Sequence, residues 1–291
     1  MTDEPLAPGL YLVSTPIGNL EDITLRALRV LRSVDRIACE DTRQTRKLLD
    51  RYSIPTPTIS SHEHNEAARS RELIEELQAG ARIAVVSDAG TPGISDPGML
   101  LTAAAITAGI AVYPIPGPSA LLAALIASGL DTEHFFFFGF LPPKAGARRT
   151  ALENLAASIQ PRTTVVFYEA PHRIAEMLAD LQSIWGAACR VALARELTKI
   201  HEEFLRGTVA DVLTQIAGRQ PLRGEMVLLV EAAAAVPAAA QPARSLLARL
   251  AELESSEQLS EKDALKRIAR ERGVAKSELW RELQRERARD K

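Results

Sequence analysis

Residues 85–98 read VVSDAGTPGISDPG and hold three glycines, two prolines and two aspartates in one short stretch. Glycines let a backbone approach a ligand closely, and Asp88 and Asp96 place short polar side chains beside it. These residues are also ordinary turn formers, but one turn needs only two or three of them. The stretch follows a β-branched run typical of a buried strand, so we expect a binding loop at the carboxyl end of that strand.

Three more polar loops follow predicted strands: TPIGN at 15–19, CEDTR at 39–43 and PGPSA at 116–120. Parallel strands align their carboxyl ends, so these loops are expected to line one crevice with residues 85–98. The loop YEAPHR at 168–173 follows a strand of the second half and is expected to face them across a cleft.

The elements that position these loops predict an α/β fold. Strand and helix alternate five times within residues 1–130, which indicates a first α/β domain with a parallel sheet. Residues 131–231 are predicted as a second α/β domain with a mixed sheet, in which the phenylalanine-rich run 135–141 is a core strand. Residues 232–243 are predicted as a linker, and 244–291 as a small all-α, helix-turn-helix-like carboxyl-terminal extension.

Composition limits the classes of function. The formal net charge of −2 gives no global field that would attract a polyanion, so such a partner needs local basic patches. Cys39 and Cys189 lie in apolar runs without metal-ligand or disulfide spacing, which predicts no metal and a reducing compartment. No apolar run reaches the roughly 20 residues that span a bilayer, and the amino terminus does not resemble a signal peptide. We therefore expect a cytoplasmic protein without a membrane partner.

Familiar cofactor motifs are missing from the sequence. It contains no GxGxxG after the first strand, no GxxxxGK[ST], no HExxH and no CxxC pair. These absences argue against a Rossmann dehydrogenase, a P-loop NTPase and the commoner zinc enzymes.

Seven short motifs occur along the sequence in this order: TPIGNL, CEDTR, SHEHN, SDAGTPGISDPG, PGPSA, FYEAPHR and GEMVLLV. Together they resemble the tetrapyrrole-methylase superfamily of S-adenosylmethionine-dependent methyltransferases, and the resemblance covers residues 10–231. Within the superfamily they are similar to the enzymes that methylate the ribose 2′-hydroxyl of a cytidine in 16S ribosomal RNA. The resemblance implies a cofactor cleft between two α/β domains, 16S rRNA or the small ribosomal subunit as partner, and a homodimer.

The resemblance also assigns residues to S-adenosylmethionine. The first domain would contribute Pro16, Asp88, Ala89, Gly90, Thr91, Ser95, Asp96, Gly117, Ser119 and Ala120, and the second Tyr168, Glu169 and Met226. The chemistry is consistent, because backbone N–H groups at the start of the helix after residue 117 suit the cofactor's carboxylate.

A ribose hydroxyl is a poor nucleophile, so positioning must supply much of the rate and a base assists. The candidate bases are Glu40, Asp41, His62, His64 and Lys199. Each has a plain alternative: a polar loop for the histidines, a helix cap for the carboxylates, and pairing with Glu196 or Glu202 for Lys199. The catalytic residue is therefore left unassigned.

Basic side chains that could grip RNA phosphates are Arg43, Arg46, Lys47, Arg148, Arg149 and Arg173. The tail from Lys262 to Lys291 holds eleven Lys or Arg against six Asp or Glu, which favours RNA contact and a solvated helical face about equally. Two alternatives stay open: a methyltransferase of the same superfamily that acts on a tetrapyrrole or a protein side chain, and a non-enzymatic nucleic-acid-binding factor.

Overall fold

The computed structural model describes residues 5–62, 65–219, 221–232, 246, 250, 253, 260–272, 279–281, 283, 284 and 287. The chain divides into two compact units, Met1–Ala234 and Ala235–Lys291. Both predicted α/β domains fall within the first unit, so their separation at residue 130 stays a prediction. The predicted linker lies outside the described residues from position 233 onward.

The first sheet is entirely parallel, as the alternation of strands and helices predicts. Its strands are β1 (Gly9–Val13), β2 (Arg36–Cys39), β3 (Thr58–Ser60), β4 (Arg82–Val86) and β5 (Val112–Ile115), in the order β3-β2-β4-β1-β5. The intervening helices are α1 (Leu25–Ser33), α2 (Thr42–Arg51), α3 (Glu66–Gln78) and α4 (Met99–Thr107). β1 lies between β4 and β5, so the loops that follow these three strands emerge side by side.

Helices cover both faces of this sheet. The side chains of α1 and α2 pack with Val13 and Ile37 on one face, and those of α3 and α4 pack with Leu10 and Ile83 on the other. Successive side chains of a strand point to opposite faces, and both sets are apolar here because both faces are covered.

The second sheet is mixed, as predicted. Its strands are β6 (Phe135–Phe140), β7 (Thr164–Glu169), β8 (Arg190–Arg195), β9 (Glu203–Thr208) and β10 (Met226–Glu231), in the order β6-β7-β10-β8-β9. Only the β6–β7 pair is parallel; the other pairs are antiparallel. The helices that pack on this sheet are α5 (Ala120–Ser128), α6 (Ala145–Ser158), α7 (Ile174–Trp185) and α8 (Val209–Ala217). Helix α5 precedes residue 131 in sequence but packs on the second sheet.

The prediction of a core strand at 135–141 is wrong in one respect. β6 is an edge strand, and the side chains of Phe135, Phe136 and Phe140 are 44, 46 and 56% exposed. An edge strand has a neighbour on one side only, so phenylalanine content alone does not decide burial.

The second unit is helical in its described part. Helix α9 (Glu261–Arg272) begins after Ser260, whose hydroxyl accepts a hydrogen bond from Asp263 N at 3.2 Å and donates one to the Asp263 carboxylate at 2.6 Å. One apolar cluster joins the helix to residues before and after it in sequence: Leu246, Leu250, Leu253, Ala264, Leu265, Ile268, Ala269, Leu279 and Leu283. In the part of the chain that the structure describes, no helix is both long and apolar enough to cross a membrane.

A buried carboxylate fixes the end of the loop at 87–98. Glu66, the first residue of α3, accepts hydrogen bonds at Oε1 from the backbone N–H of Gly98 at 2.9 Å and of Leu100 at 3.3 Å. Gly98 has φ +121°, a conformation that other residues rarely adopt, and it immediately precedes α4. Glu66 therefore joins α3 to the amino terminus of α4.

The Glu66→Ala variant is expected to lose about 1–3 kcal/mol of stability, because it leaves buried backbone donors without an acceptor. Glu66→Gln keeps an acceptor oxygen and should lose less. Urea unfolding of both variants measures the difference, with Glu75→Ala at an exposed position of the same helix as control. Equal stabilities of Glu66→Ala and Glu75→Ala would contradict this role.

Candidate functional site

Two loops of the first sheet are joined by a pair of backbone hydrogen bonds. The N–H of Thr15, after β1, donates to the carbonyl of Gly90 at 2.9 Å, and the N–H of Gly90 donates to the carbonyl of Thr15 at 3.0 Å. Gly90 has φ +88°, and a Cβ added there would lie 3.3 Å from Cγ2 of Ile17. This position therefore requires glycine both for its conformation and for the close approach of Ile17.

The loop after β5 is attached to the same pair. Thr91 Oγ1 donates to the carbonyl of Pro118 at 3.2 Å, and the Ser14 hydroxyl lies 3.0 Å from Thr91 Oγ1. A Cβ at Gly117 would lie 2.9 Å from Cβ of Ser14, so only glycine allows this approach. Three loops that are distant in sequence thus form one continuous floor.

Above this floor lies a cavity of about 410 Å³, within the range of small-molecule sites. Ten of the residues assigned to the cofactor line it: Ala89, Gly90, Thr91, Ser95, Asp96, Ser119, Ala120, Tyr168, Glu169 and Met226. They come from loops of the first sheet, the start of α5, and β7 and β10 of the second sheet. The YEAPHR loop faces the first-sheet loops, as its position after β7 predicts.

The remaining three assigned residues do not line the cavity. Pro16 is buried between Thr15 and Ile17, and Gly117 packs against Ser14. Asp88 is exposed, and its Oδ1 accepts a hydrogen bond from the backbone N–H of Asp41 at 3.2 Å. These residues shape or flank the cavity wall without forming it.

Asp96 is the cavity residue with the strongest electrostatic perturbation. The pKa of its carboxyl is raised to about 6. Burial is the largest cause of this increase, and the negative charges of Glu40 and Asp88 add to it. The structure thus holds a partly buried negative charge at neutral pH among other negative charges. Such a group gains stability when a cation binds beside it.

Glu169 brings a second carboxylate into the wall. Its side chain is fully buried, and Oε1 accepts a hydrogen bond from the N–H of Ala170 at 2.8 Å. Oε2 lies 3.3 Å from Nη2 of Arg173 in an ion pair, and no donor among the described residues reaches it with hydrogen-bond geometry. The Arg173 guanidinium therefore compensates the buried negative charge of Glu169.

Tyr168 connects the walls of the cavity. Burial raises the pKa of its phenol, and the charge of Asp96 across the cavity adds to the increase. A hydrogen bond from the backbone of Leu121, in the first turn of α5, opposes it. The Tyr168 hydroxyl therefore stays protonated and lies near both α5 and Asp96.

The four candidate bases that the structure describes, Glu40, Asp41, His62 and Lys199, do not line the cavity. Asp41 caps α2, where its carboxylate accepts a hydrogen bond from the Arg43 N–H at 2.8 Å, as its alternative interpretation predicts. Glu40 is close enough to Asp96 to raise its pKa. After β3, the N–H of His62 donates to the Asn65 side-chain oxygen at 2.8 Å, and the N–H of Asn65 donates to the carbonyl of His62 at 2.9 Å. His64 lies outside the described residues.

Lys199 forms ion pairs with Glu196 at 2.8 Å and Glu225 at 3.2 Å, so the predicted partner Glu196 is present and Glu202 is replaced by Glu225. Burial lowers the pKa of this amine, but the two carboxylates outweigh burial and raise it overall. Lys199 is therefore protonated at neutral pH and is not proposed as a base.

Three of the six candidate RNA contacts pair within the second half. Arg148 is only 2% exposed and its guanidinium lies 2.7 Å from Asp180, so it does not reach a phosphate. Arg149 is exposed and lies 2.6 Å from the same carboxylate. Arg173 pairs with Glu169 and donates to two backbone carbonyls of the loop after β6, at 3.0 and 3.2 Å. This network stabilises the fold behind the cavity.

The other three candidates lie on α2. Arg43, Arg46 and Lys47 are all exposed. Arg43 pairs with Asp41 at 3.1 Å, and Arg46 lies 3.9 Å from Asp50. Exposed pairs of this kind are weak, so these cations remain accessible to phosphate groups.

Sequence reasoning missed nine residues of the cavity wall, most of them apolar. The missed residues are Ile17, Ile94, Phe140, Ala170, Pro171, Leu197, Gly224, Glu225 and Val227. Gly224, Glu225 and Val227 belong to the motif GEMVLLV at 224–230, so their position was a usable signal. From sequence alone, an aliphatic residue such as Leu197 cannot be assigned to a hydrophobic core or to a ligand site.

The wall combines three kinds of contact. Ile17, Leu197 and Val227 offer apolar surface, and Asp96 and Glu169 offer carboxylates. The start of α5 supplies a helix amino terminus, where backbone N–H groups favour an anion. A small molecule with a flat apolar group, a cation and a carboxylate matches this set. Among the described residues, no group of His, Cys, Asp and Glu is arranged to hold a metal ion.

Comparison with known proteins finds a matching family model and similar curated relatives. The sequence model of the family described as Tetrapyrrole (Corrin/Porphyrin) Methylases matches residues 9–213. Curated relatives named "Ribosomal RNA small subunit methyltransferase I" include that of Halalkalibacterium halodurans, 46% identical over 93% of both chains. That of Bacillus subtilis is 45% identical over 93% of this chain and 92% of its own.

Solved structures agree on the fold. The methyltransferase CobJ superposes with a TM-score of 0.57 at 19% identity, covering 77% of this chain and 93% of its own. Diphthine synthase superposes with a TM-score of 0.57 at 13% identity, covering 77% and 89%. At such identities the likeness concerns the fold alone.

The Asp96→Asn variant is expected to stabilise the protein at neutral pH. The folded pKa is raised, so ionising Asp96 costs the folded state stability as pH rises from about 4 through about 6. A shift of about two units corresponds to about 3 kcal/mol, and partial exposure reduces the expected gain to about 1 kcal/mol.

Thermal unfolding at neutral pH and near pH 4 tests this, since the gain should vanish near pH 4. Asp131→Asn is the control, because a backbone hydrogen bond from Glu133 lowers the pKa of Asp131 and removes any reason for a gain. An Asp96→Asn gain that is absent at neutral pH, or equal at both pH values, would contradict the electrostatic account.

Proposed function

The chain belongs to the family of tetrapyrrole (corrin/porphyrin) methylases, and we propose that it transfers a methyl group to the ribose 2′-hydroxyl of a cytidine in 16S ribosomal RNA. It is a methyltransferase, and its cofactor is S-adenosylmethionine. The observation that carries the proposal is a cavity between two α/β sheets with carboxylates, apolar surface and a helix amino terminus in one wall.

The residues present fit this cofactor. The carboxylates of Asp96 and Glu169 suit its ammonium group and ribose diol. The backbone at Ser119 and Ala120 suits its carboxylate. The aliphatic side chains of Ile17, Leu197 and Val227 suit the adenine ring. When bound, the cofactor supplies an electrophilic methyl group on a sulfonium.

The chain's own contribution is positioning and exclusion of water. The floor made by the loops after β1, β4 and β5 is rigid, because each loop is hydrogen-bonded to another. Holding a ribose oxygen in line with a methyl group converts a bimolecular reaction into an effectively unimolecular one. We assign no base; the Lys199 amine is held in ion pairs with Glu196 and Glu225, which raise its pKa and disfavour that role.

Ribosomal RNA of the small subunit is the substrate that the relatives' name favours, and we extend it to this chain. Exposed Arg43, Arg46 and Lys47 lie on α2, whose cap Asp41 hydrogen-bonds to Asp88 in the cavity-lining loop. Phosphate contacts along α2 would place RNA beside the cavity. A ribosomal substrate would place the activity in the cytoplasm.

The alternatives are less well supported. A tetrapyrrole or protein substrate is compatible with the fold, but relatives about half identical in sequence are named for ribosomal RNA. A purely nucleic-acid-binding role does not account for the carboxylates in the cavity wall.

We also propose that the active unit is a homodimer. Helices α4 and α5 are apolar on all sides, and Met99, Leu100, Ile106, Leu122 and Ile126 are exposed on them. A helix that is apolar on all sides is normally buried. A second copy of the chain would cover these side chains.

Tritiated methyl transfer from S-adenosylmethionine to small ribosomal subunits, isolated from cells that lack this protein, tests the proposed activity. Nuclease digestion and nucleoside mass spectrometry then identify the labelled product. We expect one 2′-O-methylcytidine as the labelled product. Label should enter the subunits only when the intact protein is added.

Label on a base, on ribosomal protein, or on an added tetrapyrrole but not on the subunits would contradict the proposed substrate. Cofactor binding measured in parallel by calorimetry separates a wrong substrate from an inactive preparation.

A further inference from the structure

Ile200 is almost completely exposed, at 94%, which is the highest value among the large apolar side chains of the described residues. It lies in the segment 196–202, ELTKIHE, between β8 and β9, which we name the rim turn. Single exposed aliphatic side chains are common on protein surfaces. The unusual feature is the backbone of the turn that carries Ile200.

The backbone of the rim turn is strained. Glu196 has φ +52° and Thr198 has φ +65°. Positive φ is a genuine outlier for a β-branched residue such as threonine. Strain of this kind persists only when the surroundings enforce it, and it concentrates at functional sites.

The surroundings of the rim turn do enforce it. The Glu196 N–H donates to the carbonyl of Glu225 at 2.9 Å, and the Glu225 N–H donates to the Glu196 carboxylate at 3.0 Å. The Lys199 amine bridges the same two carboxylates. The Thr198 N–H donates to Glu202 at 2.7 Å, and the Thr198 hydroxyl accepts from the Asn19 N–H at 3.1 Å.

Two glycines allow the turn to pack this closely. A Cβ at Gly18 would lie 2.5 Å from Cγ of Lys199, and one at Gly224 would lie 2.4 Å from Cγ of Glu196. The turn is therefore fixed to the loop after β1 and to the start of β10. Ile200 is mounted on a rigid support, although its own side chain contributes almost nothing to the core.

The rim turn lies at the edge of the cavity. Leu197, Gly224 and Glu225 line the cavity, and Ile200 follows Leu197 by three residues. An apolar side chain is thus held in solvent beside the site where, under the proposed function, a ribose of folded RNA must be brought to the methyl donor.

We propose that Ile200 is a wedge that inserts between stacked bases of the RNA substrate next to the target nucleotide. Enzymes that do chemistry on a base extrude the nucleotide from its stack, and a ribose hydroxyl that must enter a cavity requires a similar separation of its nucleotide from the neighbours. Aliphatic side chains serve as wedges between base steps. The rigid mount matters because a flexible turn would yield instead of separating the bases. The inference rests on the proposed function and adds a specific contact to it.

Methyl transfer to undermethylated small subunits tests the wedge. Ile200→Ala and Ile200→Asp are expected to lower kcat/KM by about tenfold or more, since unstacking is costly without a wedge. Ile200→Met should stay within about threefold of the wild type, because methionine also serves as a wedge. Calorimetry should give an unchanged Kd for S-adenosylmethionine in all three variants. Leu25→Ala removes another side chain that is 72% exposed and is the matched control.

A direct readout is the fluorescence of 2-aminopurine, which stacking quenches, placed beside the target cytidine in a folded RNA fragment. Binding of the wild type should raise the emission, and binding of Ile200→Ala should not. Equal emission for both proteins would overturn the proposal.

The remaining outcomes also decide the question. Wild-type activity of Ile200→Asp, or an equal loss in Ile200→Met and Ile200→Asp, would overturn the wedge. A loss on subunits that disappears on protein-free ribosomal RNA would show that Ile200 contacts a protein instead. Failure of the wild type to label the subunits at all would contradict the proposed function, which distinguishes the two failures.

Discussion

The pair of hydrogen bonds between Thr15 and Gly90 is the constraint on which the site depends. It joins the loops after two neighbouring strands, and Thr91, the next residue, attaches the loop after β5 through Pro118. Because Gly90 adopts φ +88°, a side chain there would disturb both the backbone and the contact with Ile17. The cavity floor therefore depends on the parallel sheet and on two glycines, Gly90 and Gly117.

The electrostatics of the cavity oppose the stability of the empty protein. Asp96 is held partly buried near Glu40 and Asp88, which raises its pKa instead of lowering it. In contrast, the charges behind the cavity are paired, as in the cluster of Arg148, Arg149 and Asp180. A partly buried Asp96 carboxylate in the wall, with no salt bridge to it among the described residues, and paired charge behind the wall form the arrangement expected of a site that binds a cation.

Much of the fold was predictable because hydrophobic periodicity and glycine-rich loops are local signals. The parallel order of the first sheet, the mixed second sheet and the facing of YEAPHR toward the first-sheet loops follow from them. The exposure of Phe136 on β6 was not predictable, because a strand's place in a sheet depends on distant residues. For the same reason Arg148 and Arg173 looked like phosphate ligands until their partners Asp180 and Glu169 were placed beside them.

Titration of S-adenosylhomocysteine into the wild type and into Gly90→Ala tests the central claim most directly, namely that this floor forms the cofactor site. The account predicts one binding site per wild-type chain and an affinity at least about tenfold lower in the variant. Positive-φ strain costs on the order of 1–3 kcal/mol, and the loop would move to relieve it. Equal affinity in a folded Gly90→Ala variant, or no binding to the wild type, would contradict the account.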